Sequence, residues 1–186
     1  VHNKLVSFIW NIADDCLRDV YVRGKYRDVI LPMVVLRRLD TLLEPSKEAV
    51  LDEIRFQREE MGTLELDEEP LKDAAGYVFY NISDWTLTKL YNTATNNSQI
   101  LLHNFEEYLN GFSANVQEII RRFDLKNKIR HMAEKDVLLD VVERFISQRI
   151  NLTPLDTVDP DGIKLPGLSN LGINVIKLSN LPRNII

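Results

Sequence analysis

The stretch from Asp28 to Leu43 constrains the fold most, because Val29, Ile30, Leu31, Met33, Val34, Val35, Leu36, Leu39, Leu42 and Leu43 leave it apolar almost all round. A helix with no continuous polar face belongs at the centre of a core. Pro32 lacks a backbone N–H and is tolerated only near a first turn, so the helix is expected to start near Arg27 or otherwise to kink. The rest of the chain has to pack around this segment.

The flanking sequence supplies suitable partners. From Asn3 to Val22, the apolar residues Leu5, Ile9, Ile12, Cys16 and Val20 recur every three or four positions, which predicts an amphipathic helix stopped by Gly24. Pro45 opens a helix running to about Met61, with Gly62 ending it. Asp52 to Asp73 holds nine acidic and three basic residues and reads as a solvated face. A short helix over Pro70–Ala75 is closed by Gly76, and Tyr77–Tyr80 reads as an extended or irregular apolar plug. Ser83 is the expected N-cap of a helix to about Asn92, Asn97 or Ser98 of the next, and Ser113 of a third. Amphipathic segments follow at Asn127–Ala133 and from Asp136 to about Gln148. The expected class is all-α: a compact, multi-helix, bundle-like domain over residues 1–150, with an extended C-terminal tail over 151–186. That tail holds four of the seven prolines, three of the seven glycines and no aromatic residue.

With 186 residues and 45% hydrophobic content, one main core is expected. The net charge of −5 means that any contact with a polyanion must come from a local basic patch. One cysteine, Cys16, fits a reducing cytoplasm and a small core residue rather than a nucleophile. Neither a membrane span nor a signal peptide is read. His2, His103 and His131 lack metal-ligand spacing, so no metal site is expected. No two glycines stand two residues apart, so there is no glycine-rich turn for a nucleotide-type cofactor. The residues themselves point to no catalytic group.

Two segments run against the acidic average. One spans Arg18 to Arg38 and includes Arg23, Lys25 and Arg27; the other spans Arg121 to Lys135 and includes Arg121, Arg122, Lys126, Lys128 and Arg130. Placed on one side of the fold, they would form a phosphate-contacting surface. The alternative is a set of solvated helix ends, partly paired with carboxylates. Arg37 and Arg38 lie inside the apolar helix, where such residues need an internal ion pair or a partner surface.

The order of several short motifs then becomes informative. Trp10, Ala13, Asp14, Leu17 and Arg18 match "W-x-x-A-D" and "L-R", and Ile30 to Asp40 reads "I-L-P-x-x-x-L-R-R-L-D". Phe112 to Val116 matches "F-S-x-N-V", Leu138 to Phe145 matches "L-x-x-V-V-E-R-F", and Leu168-Ser169-Asn170 matches a link segment. Over about residues 3–172 the chain resembles the N-terminal helical part of the modification subunit of type I DNA restriction-modification systems.

The resemblance implies an accessory domain preceding a Rossmann-like domain, absent here, that binds S-adenosylmethionine and methylates N6 of adenine through N-P-P-[FY]. It implies DNA, a specificity subunit, a second modification subunit and, in the full complex, a restriction subunit as partners. It also implies that the helical domains help to close around DNA. After Asn170 the sequence departs from the family pattern, which reads as a truncated or frameshifted frame. Two roles follow from this stage: a module for DNA clamping and subunit assembly, inactive alone, or a structural module that docks the specificity subunit or a second copy without touching DNA.

Overall fold

A computed structural model of the chain describes residues 7, 11–94 and 97–147. After a helical stretch over residues 11–16 and a 3-10 turn at Arg23–Lys25 comes α1, Tyr26–Leu43. A 3-10 turn at Glu44–Ser46 leads into α2, Lys47–Arg55, which continues as a π-helical turn at Phe56–Glu60. Then come α3 (Glu68–Ala75), α4 (Leu87–Thr93), α5 (Ser98–Asn110), α6 (Ala114–Arg122), α7 (Leu125–Glu134) and α8 (Leu138–Ile146). The class is all-α; among the described residues the extended pairing is a single bridge, Asn81 to Phe112.

Helix α1 is the buried centre that its composition demands. Val29, Ile30, Met33, Val34, Val35, Leu36 and Leu39 are each no more than 3% exposed. Side chains of this size contribute about 1.5–3 kcal/mol apiece when removed from water, so this one helix carries a large share of the burial. It packs on α7 and α8, α5 packs on α4, α6, α7 and α8, and α2 lies against α3. Phe105, Tyr108, Leu109, Ile129, Met132, Val141 and Phe145 complete the same core.

Helix ends follow from local chemistry. Asp67 accepts from the Glu69 N–H at 3.2 Å, Thr86 Oγ1 from the Lys89 N–H at 3.1 Å, and Asn97 Oδ1 from the N–H groups of Gln99 and Ile100. Each satisfies donors that the first turn leaves free. Gly76, at φ +74°, closes α3, and Gly62, at φ +65°, follows the π turn; both adopt the left-handed conformation that side chains disfavour.

Several expectations are corrected. The first helix was expected to reach Val22, but it ends at residue 16, with turns following, and Val22 is 73% exposed. Gly24 is not a stop; it lies within the 3-10 turn that feeds α1. Helix α1 does start where expected, at Tyr26 against Arg27, which leaves Pro32 at its seventh position. The lost hydrogen bond to the Asp28 carbonyl is outweighed by the burial of the residues around it. Ser83 does not cap α4, which begins only at Leu87 with Thr86 as its cap; the Ser83 hydroxyl donates to Asn81 Oδ1 at 2.6 Å and accepts from the Trp85 N–H at 3.3 Å. Ser113 does occupy the N-cap position of α6, but its hydroxyl bonds Asn115 Oδ1 and accepts from the Tyr80 N–H instead. Of the Tyr77–Tyr80 plug, Phe79 and Tyr80 are buried and Val78 is 52% exposed. Trp10, the link at Leu168–Asn170 and the tail at 151–186 lie outside the described residues.

Candidate nucleic-acid interface

The two basic segments meet where the start of α1 lies beside the corner between α6 and α7. Lys25, Arg27, Arg122 and Lys128 line an open cleft of ≈ 520 Å³, together with one carboxylate, Asp28. Tyr21, Val29, Leu31, Pro32 and Phe123 supply its apolar floor. The local balance is four cations against one anion in a molecule whose total charge is −5. A local excess of cations of this kind can attract a polyanion despite the negative total.

The cations are held with different firmness. Lys25 and Asp28 pair at 3.5 Å with both side chains more than half exposed, an arrangement worth little in water. Arg122 Nε donates to Glu118 Oε1 at 2.7 Å, and Lys128 Nζ donates to the Phe123 carbonyl. No ion pair engages Arg27 or Arg23 among the described residues. Arg23 is exposed in the 3-10 turn and does not line this cleft.

Arg121, Lys126 and Arg130 line a second open cleft, of ≈ 580 Å³, with Glu118 and Asp124 beside them. Arg130 pairs with Glu106 at 2.6 Å, and Lys126 donates to Asn110 Oδ1 at 2.7 Å. Arg121 is bound to Glu118 Oε2. The hydrogen bonds from Arg121 and Arg122 hold the Glu118 carboxyl below its ordinary range. The corner is built by Asp124, whose φ of +51° turns the chain sharply into α7.

Arg37 is used internally: its Nη1 donates to Asp40 Oδ2 at 2.8 Å, and its side chain is only 12% exposed. Arg38 is half-buried. Sequence reasoning missed Tyr21 and Phe123 as cleft residues, and it missed the contact of Tyr21 with His131, whose rings meet edge to face at 5.1 Å. Their aromatic character was visible, but their neighbours come from distant parts of the chain.

Among the described residues, no group of three or more His, Cys, Asp or Glu is placed to hold a metal ion, and no helix is long and apolar enough to cross a membrane. The described residues do not fit an S-adenosylmethionine site. Gly62 and Gly76, the two glycines with positive φ, both follow helical segments and neither joins a strand to a helix, which is the geometry such a cofactor needs.

Neither a curated protein nor a solved structure matches the chain significantly. The family model described as the HsdM N-terminal domain matches residues 5–145, an interval that takes in α1 through α7 and nearly all of α8. The chain therefore belongs to the HsdM N-terminal domain family, the N-terminal part of the modification subunit of type I restriction-modification systems.

Proposed function

We propose that this chain is the accessory helical module of a type I adenine-N6 DNA methyltransferase, contributing DNA contact and subunit assembly while the methyl transfer belongs to another domain. The observation that carries the reading is the convergence of Lys25 and Arg27 with Arg122 and Lys128 in one cleft, from segments about 100 residues apart in sequence. On this reading residues 1–150 form the module and 151–186 the link toward a domain that binds S-adenosylmethionine. The specificity subunit, a second modification subunit and the restriction subunit are its partners in a cytoplasmic complex.

Charge reversal of Arg121, Arg122, Lys126 and Lys128, read by fluorescence anisotropy with a labelled duplex at low salt, tests it. Affinity is expected to fall, and binding by the unaltered chain is expected to weaken steeply as salt rises. Unchanged affinity would remove DNA contact from the proposal. Methyl transfer by the chain alone, given DNA and S-adenosylmethionine, would overturn the accessory role.

A second reading, assembly without DNA contact, is favoured by a different surface. Phe56, in the π-helical turn, and Met61 and Leu64, in the loop that follows it, are 45%, 59% and 101% exposed within the acidic stretch. Exposed apolar side chains so clustered fit a protein partner better than a polyanion. Substituting them with serine and measuring association with the specificity subunit separates this role from the basic cleft.

A further inference from the structure

The cations at the α6–α7 corner are split between two flanks. On α7, Leu125, Ile129, Met132 and Ala133 face the core. Lys126 and Arg130, one turn apart, lie on one side of that face, while Lys128, about 200° round the axis from Lys126, lies on the other. The end of α6 repeats the division, with Arg121 lining one cleft and its neighbour Arg122 the other. Glu118 lies between the two, its carboxylate accepting from Arg122 through Oε1 and from Arg121 through Oε2. The corner thus has a cleft on each side, one lined by Arg121, Lys126 and Arg130 with Glu118 and Asp124, the other by Lys25, Arg27, Arg122 and Lys128 with Asp28.

A single nucleic-acid strand offers one track of phosphates, and one cleft would serve it. A duplex offers two tracks bordering a groove, and a helix about 10–12 Å across fits a major groove about 12 Å wide. Resting on the DNA-contact reading above, we infer that α7 seats across a groove of double-stranded DNA. One strand's phosphates lie against Arg121, Lys126 and Arg130, and the other strand's against Arg122, Lys128 and the Lys25–Arg27 side. This arrangement contacts backbone only, so it positions the module without reading sequence.

The test uses the full chain, a short labelled duplex and the single strand of the same length, titrated across a salt series. The pairs Arg121→Gln with Lys126→Gln and Arg122→Gln with Lys128→Gln are each expected to weaken duplex binding on the order of tenfold. Each should also flatten the log-log salt slope by about 2, as for two lost phosphate contacts. Single-strand binding is expected to respond to one pair only. Because Lys128 is partly buried, Lys25→Gln with Arg27→Gln serves as a second probe of its flank. If the duplex responds on one flank alone, or the single strand responds on both, the straddling geometry is wrong and the cationic-face reading survives. If no pair alters duplex binding, both fall together.

Discussion

Arg37 and Asp40, three residues apart on α1, form an ion pair of 2.8 Å with side chains only 12% and 2% exposed. The pair is the hub of a wider junction. Asp40 Oδ1 also accepts from the Leu87 N–H at 3.0 Å, the first residue of α4, and from the Tyr108 hydroxyl at 2.9 Å on α5. One carboxylate thereby ties three helices together, and it explains in physical terms why an arginine and an aspartate stand inside so apolar a segment. A buried charge is retained only where partners satisfy it.

Replacing Asp40 by alanine leaves the Arg37 cation, the Leu87 N–H and the Tyr108 hydroxyl without their partner at once. The expected cost is about 3–5 kcal/mol of folding stability, measured by urea denaturation. A loss under about 1 kcal/mol would mean that the junction relaxes or admits water.

Burial raises the Asp40 carboxyl above its ordinary range, against the opposing effects of the Leu87 N–H, Arg37 and Tyr108. The folded state therefore holds the proton more tightly than the unfolded chain does. That contribution to stability is present at low pH and is lost as pH rises through the raised value. Asp40→Asn is expected to lack this component, so its stability should fall less than that of the unaltered chain as pH rises out of the carboxyl range. Parallel pH profiles for the two proteins would assign the titration elsewhere.

Lys47 gives the opposite sign. Its Nζ is held by the Asn81 carbonyl at 3.4 Å and Asn81 Oδ1 at 3.2 Å, and burial lowers its pKa to about 8. Between about 8 and its ordinary value the unfolded chain binds the proton more strongly, so this residue makes stability rise with pH across that window. Lys47→Met is expected to abolish the rise. Chemical denaturation from pH 7 to about 10 measures it, and a rise that persists in the variant would sink the assignment.

How much of this was legible in advance depended on whether the deciding contact was local. The apolar run of α1, the closure of α3 by Gly76 and the Asn97 cap required only neighbours within one turn, and the sequence contained them. Ser83 looked like a cap, but the start of α4 is shifted to Leu87 and Ser83 serves the turn before it, through Asn81 Oδ1 and the Trp85 N–H, where the 77–83 segment folds against residues 108–113. The start of α1 was legible to within one residue, Tyr26 against the expected Arg27, while the tolerance of Pro32 a turn further in depends on the burial around it. The basic residues of the cleft were visible as charges, but their division between two clefts depends on how α7 sits against α6 and the start of α1. The Asp40–Tyr108 bond joins positions 68 residues apart, and no local pattern announces it.

Gly111 shows a constraint of the same distant kind. Its φ of −73° is open to any residue, so conformational freedom does not require glycine there. Space does: an added Cβ would stand 2.8 Å from Asn81 Oδ1, from Ser83 Cβ and from the Ser83 backbone nitrogen. These atoms are fixed by the Ile82 N–H donating to the Gly111 carbonyl at 2.8 Å and by Asn81 Nδ2 donating to the Tyr108 carbonyl at 2.9 Å. Gly111→Ala is expected to cost about 1–3 kcal/mol, read as a lower denaturation midpoint. A neutral substitution would show that the 77–83 segment can move away freely.

The loop bearing Met61 and Leu64 depends on one buried side chain. Gln57, only 2% exposed, accepts from the Asp67 N–H at 2.7 Å and donates to the Asp67 carbonyl at 3.2 Å and to Glu53 Oε1 at 2.8 Å. The Gln57 carbonyl meanwhile accepts from the Thr63 hydroxyl at 2.8 Å. Both ends of the 61–67 loop are therefore fastened to the π-helical turn, and its exposed apolar side chains are presented in a fixed place. Gln57→Leu keeps the burial and removes the side-chain bonds, leaving the Asp67 backbone groups unsatisfied. Stability is expected to fall by about 1–3 kcal/mol, and protease cleavage between residues 61 and 67 to quicken well before the rest of the domain opens. Cleavage that accelerates equally throughout the helices would mean that Gln57 supports the fold as a whole rather than this loop.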